Sequence, residues 1–238
     1  MKKLLLSLLL VATFYNLLAQ KTISDLNAEK RNVSGYHGID VSTGIKLILT
    51  EGNTEEVAVS ASKTEYRDKI ITKVENGILK IQYESKMGAI NKKEQNKDLK
   101  AYVSYKKLDQ LDVNTGAEVE INGVLTSVSL DLKANTGGLV KGEVNITTLK
   151  IDQNTGSKIT LSGKADNLEV DGDTGSKFLG EDLKTNNCSA KASTGARVFI
   201  TVQKELNAKA NTGGNIKYKG DGGIRNIKTS SGGSISRI

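Results

Sequence analysis

A Thr-Gly dipeptide returns along the second half of the chain at near-constant intervals, and no other feature limits the fold as much. It stands at Thr115/Gly116, Thr136/Gly137, Thr155/Gly156, Thr174/Gly175, Thr194/Gly195 and Thr212/Gly213, with Ser231/Gly232 as a degenerate seventh copy. Successive copies are 21, 19, 19, 20, 18 and 19 residues apart. Aligned on the dipeptide, apolar or small residues fill alternate positions on both sides, which is the period of a strand with one buried face. Four residues before come Leu111, Leu132, Ile151, Val170, Ala190, Ala208 and Ile227. Four residues after come Val119, Val140, Ile159, Phe178, Val198, Ile216 and Ile235. Neither column holds a charge, so both face inward.

The position two after the Thr or Ser is always small: Ala117, Gly138, Ser157, Ser176, Ala196, Gly214 and Gly233. A tight corner or a close-packed inner ladder requires that. The intervening column Asp112, Lys133, Asp152, Asp171, Lys191, Lys209 and Lys228 is polar and faces water. Before each Thr or Ser stands Asn, Asp or Ser, types that tolerate left-handed backbone angles and bond their own main chain in turns. The Gly that follows removes the Cβ penalty where φ must be positive. N-T-G therefore predicts one corner per repeat, with the left-handed residues at the Asn and the Gly.

A period near 19 residues, with short strands and no helix-forming stretch, is too short for a propeller blade and lacks the leucine-rich consensus. It predicts an all-β fold: a single-stranded right-handed parallel β-helix over 106–238, about seven rungs stacked at about 4.8 Å. The composition agrees, because 24 Gly, no Pro, no Trp and 4% aromatics suit thin aliphatic layers joined by tight turns better than a core built on large rings. From Gly35 to Tyr105 the pattern is less regular. Ile39, Val41, Leu47 and Leu49 alternate around Thr43/Gly44 as an earlier, divergent rung, and Glu75-Asn76-Gly77 is a hairpin-type turn. Antiparallel or mixed strands are expected over 35–105, capping the solenoid, with a mobile loop at Lys86 to Lys100.

The N-terminus carries an address. Met1, Lys2 and Lys3 precede an apolar run from Leu4 to Ala12, and small Ala19 precedes Gln20, which predicts a signal peptide over 1–19 followed by a linker over 20–34. The alternative is an uncleaved anchor, which needs about 20 mostly apolar residues, whereas Thr13 and Asn16 interrupt this run. No second hydrophobic span follows, so no membrane span is expected after cleavage, and the destination is the periplasm, the outer surface or the medium. No Cys stands at the cleavage site for lipid attachment. Removal of Lys2 and Lys3 lowers the formal charge by two from +7, a mild excess spread along the chain. The single Cys188 has no internal disulfide partner, so burial and backbone pairing must stabilise the exported chain.

These residues resemble a known family. GYHGIDVSTGIKLILTEG, the later NGILKIQY, and the repeated N-T-G-[AGS] corners are similar to the head GIN domain, also called the putative auto-transporter adhesin or DUF2807 family, common in Bacteroidetes. The resemblance runs from about Val33 to Ile238, with Thr-Gly where the family often has Ser-Gly. It implies a right-handed β-helix, export to the envelope and a role in adhesion. It supplies no catalytic motif, so no site residue is carried over.

The chemistry-bearing residues are few. His37, the one histidine, lies before the first strand and reads as a turn or edge residue rather than a catalytic base. Cys188 falls six before Thr194, where other rungs carry Leu130, Leu149, Leu168 and Leu206, and reads as a small core hydrophobe. Asp171, Asp173, Glu181 and Asp182 form the densest acidic group. They are candidates for Ca²⁺, but the G-G-x-G-x-D repeat is absent and an outward acidic edge accounts for them. Three after the Thr, successive rungs carry Lys158, Lys177 and Arg197. Stacked, these would make a positive file for an acidic polysaccharide or a lipopolysaccharide phosphate, unless neighbouring carboxylates or water neutralise it. Aromatic interleaving for nucleic acid is missing. The expected function is thus a non-enzymatic envelope adhesion or structural module, without cofactor or metal. Carbohydrate binding is the alternative, and a polysaccharide lyase or hydrolase ranks third because no face collects a base, an acid and metal carboxylates. The last rung should be covered by the tail Ser236-Arg237-Ile238 or by a second copy in a homodimer.

Overall fold

The computed structural model describes residues 25–84 and 96–238; the leader expected over 1–19 and most of the loop expected at Lys86 to Lys100 lie outside them. The chain is a β-solenoid. Its regular part consists of five long bent strands, β9 (Glu118–Ala134), β10 (Leu139–Gln153), β11 (Lys158–Gly172), β12 (Lys177–Ala192) and β13 (Arg197–Ala210), numbered in chain order after the eight strands described below. Each pairs in parallel with the next. On β13 rest β14 (Asn215–Lys219) and β15 (Gly223–Thr229), and on β14 rests β16 (Ser234–Arg237).

The register stacks residues one repeat apart. Val119, Val140, Ile159, Phe178, Val198, Ile216 and Ile235 are direct partners in sequence. So are Leu111, Leu132, Ile151, Val170, Ala190, Ala208 and Ile227. All of the first file up to Ile216 and all of the second up to Ala208 are buried. The small column forms the inner ladder at the bend, with Ala117, Ser157, Ser176 and Ala196 each at most 1% exposed.

The corners differ from expectation in one respect. The left-handed residues are the Thr and the Gly, not the preceding Asn. Thr φ values run from 43° at Thr174 to 61° at Thr43, and the following Gly residues lie between 70° and 78°. The amide two after each Thr closes the turn on the carbonyl before it, as in Ala117 N–H to Asn114 O at 3.1 Å and Ala196 N–H to Ser193 O at 2.9 Å. Two consecutive positive φ angles with that bond define a type I′ turn. What holds a β-branched residue there is a second bond, from each corner Gly N–H to the Thr or Ser carbonyl of the next rung: Gly44 to Thr115, Gly116 to Thr136, and so on to Gly213 and Ser231. The corner peptides thus stand parallel to the solenoid axis and link rung to rung.

The N-terminal region is mixed, as its irregular pattern suggests, and the stacking order departs from chain order. β2 (Gly38–Val41) and β3 (Lys46–Glu51) pair in parallel with β8 (Gln110–Val113) and β9, which confirms Thr43/Gly44 as an earlier rung although about 70 residues of chain intervene. Beneath them lie β6 (Ile78–Tyr83) and β7 (Lys100–Tyr105), again parallel. Antiparallel strands then close that end: β5 (Ile70–Glu75) on β6, β4 (Glu56–Ser60) on β7, and β1 (Glu29–Arg31) on β4. β1 comes from the stretch expected as linker. Among the described residues a single short helix, α1 (Thr64–Arg67), buries Tyr66 against the cap.

At the opposite end the tail does not fold across the last rung. It forms β16 within it, with Ile238 N–H bonded to Tyr218 O at 2.9 Å, and leaves Ile224 54% exposed.

Candidate functional site

Strand alternation puts the residues three and five after each corner Thr on the same outer face. In the lower rungs this face is ion-paired. Lys46 Nζ lies 3.1 Å from Glu120, and Lys141 Nζ lies 3.6 Å from Glu118 and 3.4 Å from Glu120. Those bonds hold the Glu120 carboxyl below, and the Lys46 ammonium above, their ordinary pKa values. From the next rung upward the two columns read Lys158 and Thr160, Lys177 and Leu179, Arg197 and Phe199, Asn215 and Lys217, with no carboxylate between them.

Lys158, Lys177 and Arg197 are therefore brought together as expected, each opposite the next in register. Among the described residues, none of the three has an ion-pair partner. Lys177 instead lies 5.7 Å above the Phe199 ring, and Lys217 lies 5.9 Å from the same ring. On the sheet before the corner Lys191 Nζ sits 2.8 Å from Asp171 and Lys133 3.5 Å from Asp131, whereas Lys209 and Lys228, one and two rungs above Lys191, have no ion-pair partner among the described residues. Leu179, Phe199 and Lys217 stand in the second outward column, which the spacing of the cations alone does not reveal. Moving the alignment two residues further would have found them.

Beside the second column, where the strands bulge at Lys141/Glu143 and Thr160/Ser162, an open groove of about 620 Å³ follows the axis. It is lined by Thr160, Leu161 and Leu179 and by the carboxylates of Glu143, Glu181 and Asp182.

The acidic group separates in space. Asp171 pairs with Lys191 before the corner, and Asp173 Oδ1 accepts the Thr174 N–H at 2.7 Å, which with the Thr194 hydroxyl lowers its pKa. Glu181 and Asp182 lie on the groove, and among the described residues no three His, Cys, Asp or Glu side chains converge as metal ligands. His37 precedes β2 with its side chain about half exposed. Its Nδ1 is 2.7 Å from Asp109 Oδ1, its N–H bonds Gly77 O, and its carbonyl accepts the Asp109 N–H.

Cys188 stands in register between Leu168 and Leu206, 3% exposed, and burial pushes its thiol up to about 12. The thiolate is the reactive form. Native protein is accordingly expected to resist a thiol reagent and to react at once in denaturant; rapid labelling without unfolding would show that this layer opens locally.

Among the described residues no helix is long and apolar enough to cross a membrane. Solved structures share the architecture. A putative adhesin from Bacteroides fragilis aligns with a TM-score of 0.75 at 16% identity, covering 89% of this chain and 96% of the other. A putative lipid binding protein from Parabacteroides distasonis aligns at 0.67 and 19%, covering 90% and 98%. A putative adhesin from Parabacteroides merdae aligns at 0.63 and 16%, covering 89% and 95%. At these identities the likeness shows the fold. No curated protein matches the chain. The family model for the putative auto-transporter adhesin, head GIN domain, matches residues 35–222, and the chain belongs to that family, DUF2807.

Proposed function

We propose that this chain is an exported, non-enzymatic module that attaches surfaces to one another at the cell envelope. The observation that carries the proposal is the change along one outer face from paired charges to an unpaired cation file on a rigid rod. A filled solenoid cannot admit a ligand to its interior, so recognition uses its outer surface. The face after the corner carries three unpaired cations on successive rungs beside the half-buried Leu179 and Phe199. The leader-like N-terminus and the adhesin family support the envelope as the place of action.

Beads coated with the purified protein are expected to adhere to intact bacterial cells or to host-cell surfaces, and to detach as salt is raised, because exposed charges are screened beyond about 10 Å at 0.1 M. Beads that stay free of both surfaces at low salt would exclude adhesion. Carbohydrate binding is the second reading, favoured by Lys158, Lys177 and Arg197 lying one per rung at about 4.8 Å.

A further inference from the structure

We propose that the face formed by Lys158, Lys177, Arg197, Leu179 and Phe199 binds a polyuronate, a polysaccharide with one carboxylate per sugar, extended along the solenoid axis. This rests on the carbohydrate reading above and adds the ligand class, its direction and the apolar half of the site.

Three features of the face select this ligand. The register supplies one cation per rung at about 4.8 Å, close to the length of one sugar residue in an extended chain. A run of singly charged carboxylates therefore meets a run of singly charged cations in step. The second column offers Leu179 and Phe199, both half-buried, alongside the cations. Pyranose rings present C–H faces that suit such an apolar strip, whereas phosphate groups alone have no use for it. Lys177 and Lys217 flank the Phe199 ring, so ring and cations are held together before any ligand arrives. The carboxylates of Glu143, Glu181 and Asp182, which line the groove beside the second column, repel a polyanion and direct it onto the cation file. An anionic membrane is disfavoured, because an interfacial binder sinks a broad apolar face below the headgroups. Here only two half-buried apolar side chains, Leu179 and Phe199, stand among the cations, too narrow a face for that.

Polygalacturonate oligomers, titrated calorimetrically against the purified protein in low salt, test this. The wild type is expected to bind, and the triple variant Lys158→Glu, Lys177→Glu, Arg197→Glu to bind about 30-fold more weakly, the product of three exposed ion pairs. Leu179→Ser with Phe199→Ser is expected to weaken binding about five-fold without changing its salt dependence. Lys209→Glu, on the sheet before the corner, should leave binding unchanged. All substituted positions face outward, and unchanged melting curves will confirm the fold.

Equal binding of carboxyl-reduced polymer, equal loss from Lys209→Glu, or capture of phosphatidylglycerol vesicles without capture of polymer would each overturn the proposal. So would absence of polygalacturonate binding by protein whose beads still adhere to cells, and in that case the adhesion function would stand.

Discussion

Phe178→Ala is expected to lower the stability of the protein by about 4 kcal/mol, at the upper end of what one buried side chain contributes. Phe178 is fully buried between Ile159 and Val198, the one aromatic ring in a file of Val and Ile. The space for it comes from Gly180. A Cβ built on Gly180 would lie 2.5 Å from Cε1 and 2.7 Å from Cζ of Phe178, so the ring leans over the glycine within its own strand. The same inward column carries Ile200 one rung above, where no ring competes for room.

Two opposite substitutions therefore probe one contact. Gly180→Ala overpacks the layer and should cost about 2 kcal/mol. Combining Gly180→Ala with Phe178→Leu should cost less than the sum of the two by about 1 to 2 kcal/mol, because the shorter side chain vacates the space that the methyl enters. Chemical denaturation of the four proteins measures the coupling, and strict additivity would show that ring and glycine do not share the cavity.

That pair also marks how far the sequence could be read. Period-two alternation identified both inward files, since burying one face of a strand requires it and a stack of rungs repeats the requirement at a fixed interval. The exchange of volume between neighbouring positions was not legible. Gln153 is an example: it occupies an inward position filled by Ala134 and Ala192 on other rungs, and the room for its amide comes from Gly172, whose missing Cβ would lie 3.3 Å from Nε2. Both amide atoms of Gln153 are buried without a hydrogen-bond partner among the described residues. Nothing in a hydrophobic pattern announces such a substitution.

The N-terminal cap was legible as irregular strands, but its order was not, because β6 and β7 stack beneath β2 and β3 without any Thr-Gly corner to label them as a rung. The candidate site was half legible. One column of cations follows from spacing alone, whereas its lack of ion-pair partners depends on which carboxylates the register brings close. Glu118 and Glu120 neutralise Lys46 and Lys141, and the rungs carrying Lys158, Lys177 and Arg197 have no carboxylate in those two columns.

Replacing corner threonines by asparagine is expected to stabilise the protein, against the usual direction of mutation. At Thr115, Thr136 and Thr212 the φ angles are 51°, 49° and 46°, a region in which a β-branched side chain crowds its own backbone. Asparagine adopts these angles with less strain and is the preferred first residue of a type I′ turn before Gly. These three hydroxyls have no hydrogen-bond partner among the described residues, so the exchange removes strain without breaking a contact, unlike Thr43, whose Oγ1 accepts the Tyr83 N–H at 2.7 Å. The gain should be about 1 kcal/mol per corner and about 3 kcal/mol for the triple variant. The axial bond from Gly116 N–H to Thr136 O involves backbone only and survives the change. If the melting temperature falls instead, the stacked threonine side chains must contribute more through mutual contact than their backbone angles cost, and the corners would be held by side-chain packing rather than by the rung-to-rung peptide ladder.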